Sequence, residues 1–200
     1  MTERTVTVCT IGDYGIGRRS LSFWKCSKMF QEETDWCGHE DGTNLTIKYV
    51  DVDGQSYAVN VVVPNEIDYS TDRFKVVEVG RREWVGFLFA YDVTSQDSFN
   101  KMRTMYDVAV KLCDEYLEGF SYPMMVAGLK CDLADKRVVS YSDAENLANQ
   151  WKCQYVELST KENKGVDECF EEIVRKIVAA GPNPIYEKIN KPEEKKCIVM

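Results

Sequence analysis

Gly12-Asp13-Tyr14-Gly15-Ile16-Gly17-Arg18-Arg19 decides how this chain reads, because of what flanks it. Before it, Thr5–Ile11 (TVTVCTI) is an apolar, β-branched run of strand character; after it the sequence turns helix-like to about Phe30. A glycine-rich turn from strand into helix aims backbone N–H groups and a helix N-terminus at one spot, which suits an anion. Gly12 and Gly17 match both glycines of a phosphate-binding G-x-x-x-x-G-K-[ST] loop, but Arg18 and Arg19 hold its Lys and Ser/Thr positions. Alone, the stretch reads equally as a tight turn; the strand-loop-helix context favours phosphate.

Outward from this loop, apolar runs alternate with helical patterns. Leu45–Val52 and Tyr57–Val63 are joined by Asp53-Gly54, a hairpin signal because both residues tolerate positive φ. A calcium loop at Asp51–Gly54 would need further acidic positions that are missing. Phe87–Tyr91 and Met124–Leu129 are apolar without alternation, as in strands buried on both faces. Helical stretches are expected at Asp97–Leu117, Tyr141–Trp151 and Val166–Ala179, with a short strand at Tyr155–Leu158. In the last helix Val166, Phe170, Ile173, Val174 and Ile177 form one apolar stripe for the core. The order β-α-β-β-α-β-α-β-α-β-α predicts an α/β fold: a mostly parallel six-stranded sheet, one antiparallel edge hairpin, and helices on both faces. Gly181-Pro182-Asn183-Pro184 then ends the last helix and opens a polar tail, dividing the chain into a body, 1–180, and a tail, 181–200.

Composition is that of a globular protein: 200 residues, 44% hydrophobic and 29% charged, enough to bury a core without disulfides or structural metal. A net charge of −8 argues against non-specific nucleic-acid binding, which depends on basic surface. The eight cysteines form no C-x-x-C and His39 is the one histidine, so a Cys/His zinc site has little support. The N-terminus lacks the apolar region of a signal peptide, and Thr2 stands where myristoylation needs glycine. An intracellular chain with reduced, mostly core cysteines is expected.

Two further clusters follow the loop in order. Gly128-Leu129-Lys130-Cys131-Asp132 ends one buried strand, and Glu157-Leu158-Ser159-Thr160-Lys161 ends the next. Both lie at carboxyl ends of parallel strands, where open α/β sheets bind ligands. With Gly15-Ile16-Gly17, Asp53-Gly54, Gly86–Thr94 (GFLFAYDVT), Ser98-Phe99 and Lys130-Cys131-Asp132-Leu133, the chain resembles the Ras superfamily of small GTPases, nearest its Ras and Rap branch, over roughly 5–180.

That resemblance implies a P-loop GTPase-like fold and GTP or GDP as the candidate ligand. It places Gly15, Ile16, Gly17, Arg18, Arg19 and Ser20 at the phosphates, and Phe30 against the guanine. It also gives Lys130 the role of covering the base and Asp132 that of accepting hydrogen bonds from the guanine edge, with Ser159, Thr160 and Lys161 completing the pocket. It implies effector or regulator proteins as partners, through switch-like segments at Trp36–Val52 and Val63–Arg73.

Against the family pattern, the metal-side Asp-x-x-Gly is replaced by Val63-Pro64-Asn65-Glu66, and the water-positioning Gln by Ile67. Arg19 replaces a metal-ligating hydroxyl, and a guanidinium cannot ligate metal. Tyr14 stands beside the γ-phosphate position and Leu129 replaces the pocket-bracing Asn. The switch-one threonine position falls on Asp41, or on Thr43 after a two-residue shift. Magnesium is therefore not expected, nor is any catalytic residue, and hydrolysis should be slight or absent. The expectation is a protein-binding pseudoGTPase; the alternative is a switch that binds GTP and GDP and hydrolyses slowly.

Cys197-Ile198-Val199-Met200 fits C-a-a-X, which predicts prenylation of Cys197 and residence on the cytoplasmic face of a membrane, the plasma membrane foremost, with a cytosolic fraction. Lysines and glutamates nearly balance in the tail, so one lipid with a weak basic patch implies reversible anchoring. His39 reads as a surface residue, and Tyr106, Leu112, Cys113 and Tyr116 as helix packing. Trp24 and Trp36 are either partner contacts or core.

Overall fold

The computed structural model describes residues 4–23, 47–64, 79–116 and 122–190. Six strands form one sheet: β1 (Thr5–Gly12), β2 (Ile47–Val52), β3 (Gln55–Val62), β4 (Val85–Asp92), β5 (Met124–Leu129) and β6 (Gln154–Leu158). The helices are α1 (Arg18–Ser22), α2 (Gln96–Tyr116), α3 (Tyr141–Gln150), α4 (Val166–Ala180) and α5 (Pro184–Asn190). Spatial order is β2-β3-β1-β4-β5-β6, with β2–β3 the antiparallel pair and every other pair parallel. The α/β reading holds. The helix expected between β3 and β4 falls largely outside the described residues, as do the expected helix beyond Phe23 and Leu45-Thr46 before β2.

Local chemistry accounts for the elements. Asp53 and Gly54 take φ of 52° and 79°, the two positive angles a tight hairpin turn demands, and set Val52 opposite Gln55. All eight residues of β4 are buried, which is why its sequence shows no alternation. Each face of the sheet carries its own apolar layer. On one, Val166, Cys169, Phe170, Ile173, Val174 and Ile177 of α4 pack with Val8, Val59 and Leu88. On the other, α2 and α3 cover Cys9, Phe87, Phe89 and Tyr91. There Tyr106 stacks on Trp151, ring centroids 3.7 Å apart, and Phe89 meets both rings edge-on. Cys9 and Cys169 are free thiols, and burial pushes both up to about 12.

The chain beyond Ala180 departs from the plain polar tail expected. Gly181, at φ 82°, ends α4, but Pro184 opens α5, because proline suits the first helical position and Asn183 caps it. Asn183 is 1% exposed: its Nδ2 donates to the carbonyls of Gly80 (2.6 Å) and Arg82 (3.2 Å), while its Oδ1 accepts from the Ile185 N–H (3.0 Å). Its own N–H donates to the Glu83 carbonyl at 2.7 Å, the Tyr122 hydroxyl donates to the Gly80 carbonyl, and Ile185 enters the core. Residues 181–190 thus clasp the loop before β4, at the amino ends of the parallel strands.

Candidate functional site

At the opposite pole the carboxyl ends of β1, β4, β5 and β6 converge. Gly17 caps α1 at φ 107°, a value that a side chain would strain, so the turn between β1 and α1 depends on glycine there. Gly12 is equally constrained: a Cβ would meet the Ala90 carbonyl oxygen at 2.4 Å. The loop between them closes largely on itself. Asp13 pairs with Lys101 of α2 at 3.0 Å and accepts from the Tyr14 N–H. Tyr14 is 65% exposed, with the Arg19 guanidinium 5.8 Å from its ring centre.

Arg18 differs from expectation. Its side chain is buried rather than presented to a phosphate: Nε donates to the Asp13 carbonyl (3.1 Å) and Nη1 to the Pro64 carbonyl (3.0 Å). Burial pulls its pKa below the ordinary value, yet a guanidinium stays charged in a protein. A lysine ammonium is a point charge on a slim stem; the forked guanidinium instead satisfies two carbonyls of diverging direction, so it joins the glycine-rich loop to the residue after β3. Val63 lies within the apolar layer beneath.

The base-side residues stand on the loops that follow β5 and β6. Lys130, at φ 62°, sends Nζ to the Asp92 carboxylate (2.7 Å) and to the Gly15 carbonyl (3.2 Å), tying β4, β5 and the glycine-rich loop. Burial works to raise the Asp92 carboxyl, but hydrogen bonds from Lys130 and from the Thr94 hydroxyl and N–H outweigh it and hold the group below its usual range. Asp132 lies two residues on, half-buried, and forms no hydrogen bond or ion pair with another described residue. Ser159 is fully buried, exchanges backbone hydrogen bonds with Lys164, and accepts at Oγ from the Glu162 N–H. Thr160 and Lys161 sit in the same turn, Lys161 exposed. Leu129 reaches under the glycine-rich loop, its Cδ1 3.9 Å from where a Gly17 Cβ would stand. Phe30, Trp24, Trp36, His39, Asp41, Thr43, Asn65 to Ile67 and Cys197 lie outside the described residues, as do most of both switch-like segments.

Sequence reading missed the support beneath these loops. The Tyr91 hydroxyl bonds to that of Tyr155 (2.7 Å), Tyr155 donates to Glu157 (2.7 Å), and Arg137 grips both Glu157 oxygens at 2.7 and 2.8 Å. Burial pushes Tyr91 up to about 12; it opposes ionisation of Glu157 too, but Arg137 and Tyr155 win and keep that carboxyl low. A Gly128 Cβ would lie 2.6 Å from the Tyr155 hydroxyl, so the glycine makes room for the chain of hydroxyls.

Among the described residues, the positions that the family resemblance assigns to magnesium do not offer its ligands. Arg19 is cationic where a hydroxyl is required, Val63 is a hydrocarbon where a carboxylate is required, and no three His, Cys, Asp or Glu side chains among the described residues gather to hold a metal.

A six-stranded sheet with this strand order, its glycine-rich loop after β1 and its polar loops after β5 and β6, defines a P-loop domain of the GTPase type. The Ras family model matches residues 7–179, and the chain belongs to the Ras family. It is 28% identical over 200 residues to the Ras-like protein rasC of Dictyostelium discoideum, covering 99% of this chain and all of that protein. The family comprises GTP-binding proteins that engage effectors and regulators.

Proposed function

We propose that this chain is a membrane-tethered, protein-binding pseudoGTPase of the Ras family, in which guanine nucleotide binds weakly, without magnesium and without appreciable turnover. The observation that carries the reading is Arg18, whose two hydrogen bonds to the Asp13 and Pro64 carbonyls occupy the cation of the phosphate loop internally. Phosphoryl transfer in this fold rests on positioning and on neutralising phosphate charge. A triphosphate carries about four negative charges, of which magnesium cancels two. With Arg18 turned inward, Arg19 stands beside Tyr14 at that end of the loop, and it offers no metal ligation. Titration calorimetry with GDP and GTP, with and without EDTA, tests this. Weak binding indifferent to EDTA is expected; tight binding that collapses on chelation, or turnover at ordinary small-GTPase rates, overturns it.

The second reading, a slow nucleotide switch, is favoured by the retained Lys130, Asp132 and Ser159, of which Lys130 reaches the Gly15 carbonyl of the glycine-rich loop. Family switching orders the switch segments through γ-phosphate and metal contacts. Hydrogen exchange in Trp36–Val52 and Val63–Arg73 separates the two: equal exchange with GDP and a non-hydrolysable GTP analogue supports the pseudoGTPase, a clear difference the switch. For the tether, a Cys197→Ser variant should leave the membrane fraction of cells; persistence there refutes prenylation at Cys197.

A further inference from the structure

The clasp of residues 181–190 shortens the chain between the folded body and Cys197. Cys197 lies seven Cα-to-Cα steps beyond Asn190, a reach of at most about 25 Å. Had the chain left the body at Gly181, sixteen residues would have given about 55 Å. A domain of this size is about 40 Å across, so the shorter leash cannot carry the polypeptide around to the loops at the carboxyl ends of the strands. An anchor at Cys197 thus holds the amino-end pole toward the bilayer. That pole presents Arg81 and Arg82, exposed on the loop that Asn183 grips, and Arg4, exposed beside it with its guanidinium 5.3 Å from the centre of the Trp84 ring. Glu83 shares that loop, Asp51 and Asp53 lie exposed on the β2–β3 hairpin at the same pole, Asp53 paired with Arg175 of α4 at 3.7 Å, and Asp114 and Glu115 are exposed at the end of α2. Three guanidiniums here stand out in a chain of net charge −8.

We propose that this pole is a lipid-facing surface and that Arg4, Arg81 and Arg82 engage anionic phospholipid headgroups of the bilayer to which the chain is tethered. The proposal rests on the Cys197 tether above. Near an anionic bilayer each basic residue contributes about fivefold in partition, an effect that fades beyond a Debye length of about 8 Å. The short leash keeps the arginines within reach of that field.

The test uses the chain with Ile198–Met200 replaced by a polyhistidine run, so that the anchor follows Cys197 directly, bound to vesicles bearing a nickel-chelating lipid. This holds the C-terminus at the bilayer whether or not Cys197 is prenylated in cells, so failure of the tether reading and failure of this one are told apart. The quantity read is the gain in partition when phosphatidylserine replaces part of the phosphatidylcholine. The wild-type chain should gain, and the gain should shrink with added salt. In Arg81→Gln/Arg82→Gln, whose backbone still serves Asn183, the gain should fall by about 25-fold, fivefold for each arginine. Arg103→Gln, on the exposed side of α2, should match wild type. No gain for wild type, an undiminished gain in the double variant (as when an acidic protein is the true partner of these arginines), or an equal fall in Arg103→Gln would each overturn the proposal.

Discussion

Replacing Asn183 tests whether the C-terminal clasp belongs to the folded body. The Asn183→Ala variant removes the side-chain hydrogen bonds to the Gly80 and Arg82 carbonyls and from the Ile185 N–H at a site that is 1% exposed. The Gly80 carbonyl keeps its bond from the Tyr122 hydroxyl, so two backbone groups, the Arg82 carbonyl and the Ile185 N–H, are left without a partner. Each buried group so stranded costs about 1–3 kcal/mol. The clasp could instead let go, exposing Ile185 at about 2–3 kcal/mol, and this caps the loss. A destabilisation of about 2–3 kcal/mol is therefore expected, read as a lower midpoint in urea unfolding with an unchanged slope. Asn183→Asp sharpens the test. It keeps an acceptor for Ile185 but sets a carboxylate against the Gly80 and Arg82 carbonyls, so at neutral pH it should be worse than alanine. Burial and repulsion raise that carboxyl in the folded state above the unfolded value of about 3.9, so protonation supplies a donor and the gap between Asp and Ala narrows as pH falls. If Asn183→Ala lies within about 0.5 kcal/mol of wild type, or Asp is milder than Ala at pH 7, the reasoning is refuted.

Gly128→Ala forces a methyl group against the Tyr155 hydroxyl at 2.6 Å and should cost about 1–3 kcal/mol; adding Tyr155→Phe should recover part of it in a double-mutant cycle, and strict additivity would contradict the clash. Glu157→Gln should cost about 2 kcal/mol at pH 7 by weakening the grip of Arg137. Because the folded-state pKa of Glu157 is depressed, its contribution is present above the unfolded value of about 4.3 and lost as pH falls through the folded one, so the two proteins should converge in acid urea titrations. Cys9 and Cys169, fully buried and raised to about 12, should resist a thiol-disulfide reagent at pH 8 until the protein is unfolded, whereas early modification would place them nearer solvent.

Elements set by local rules were legible in the chain itself. Asp53-Gly54 announces its hairpin because few residue pairs accept two positive φ angles, and Val166 to Ile177 announces a buried helix face because the spacing leaves no other use for it. Three features were hidden, each for a physical reason. Gly181-Pro182-Asn183-Pro184 holds both a helix stop and a helix start; the stop reads first, and the start is decided by carbonyls a hundred residues away, at Gly80 and Arg82. The direction of Arg18 depends on which acceptors lie within its long reach, and Pro64 is brought there by the pairing of β1 with β3. The hydroxyl chain from Tyr91 to Glu157 joins β4 to β6 across Gly128 of β5, and no pattern along one strand reports what faces it on the next.

The Arg18 clasp also changes how the joint between the glycine-rich loop and the end of β3 responds to its surroundings. A joint made by a bound ligand is closed only as far as mass action fills it, and it loosens as the ligand is diluted. Arg18 is carried by the chain, so its bond to Pro64 has no dissociation constant against anything in solution. Its closure is set by an intramolecular equilibrium that temperature, denaturant or substitution can shift and supply cannot. Any signal that reaches this joint must arrive as a change in the polypeptide or in what docks on it.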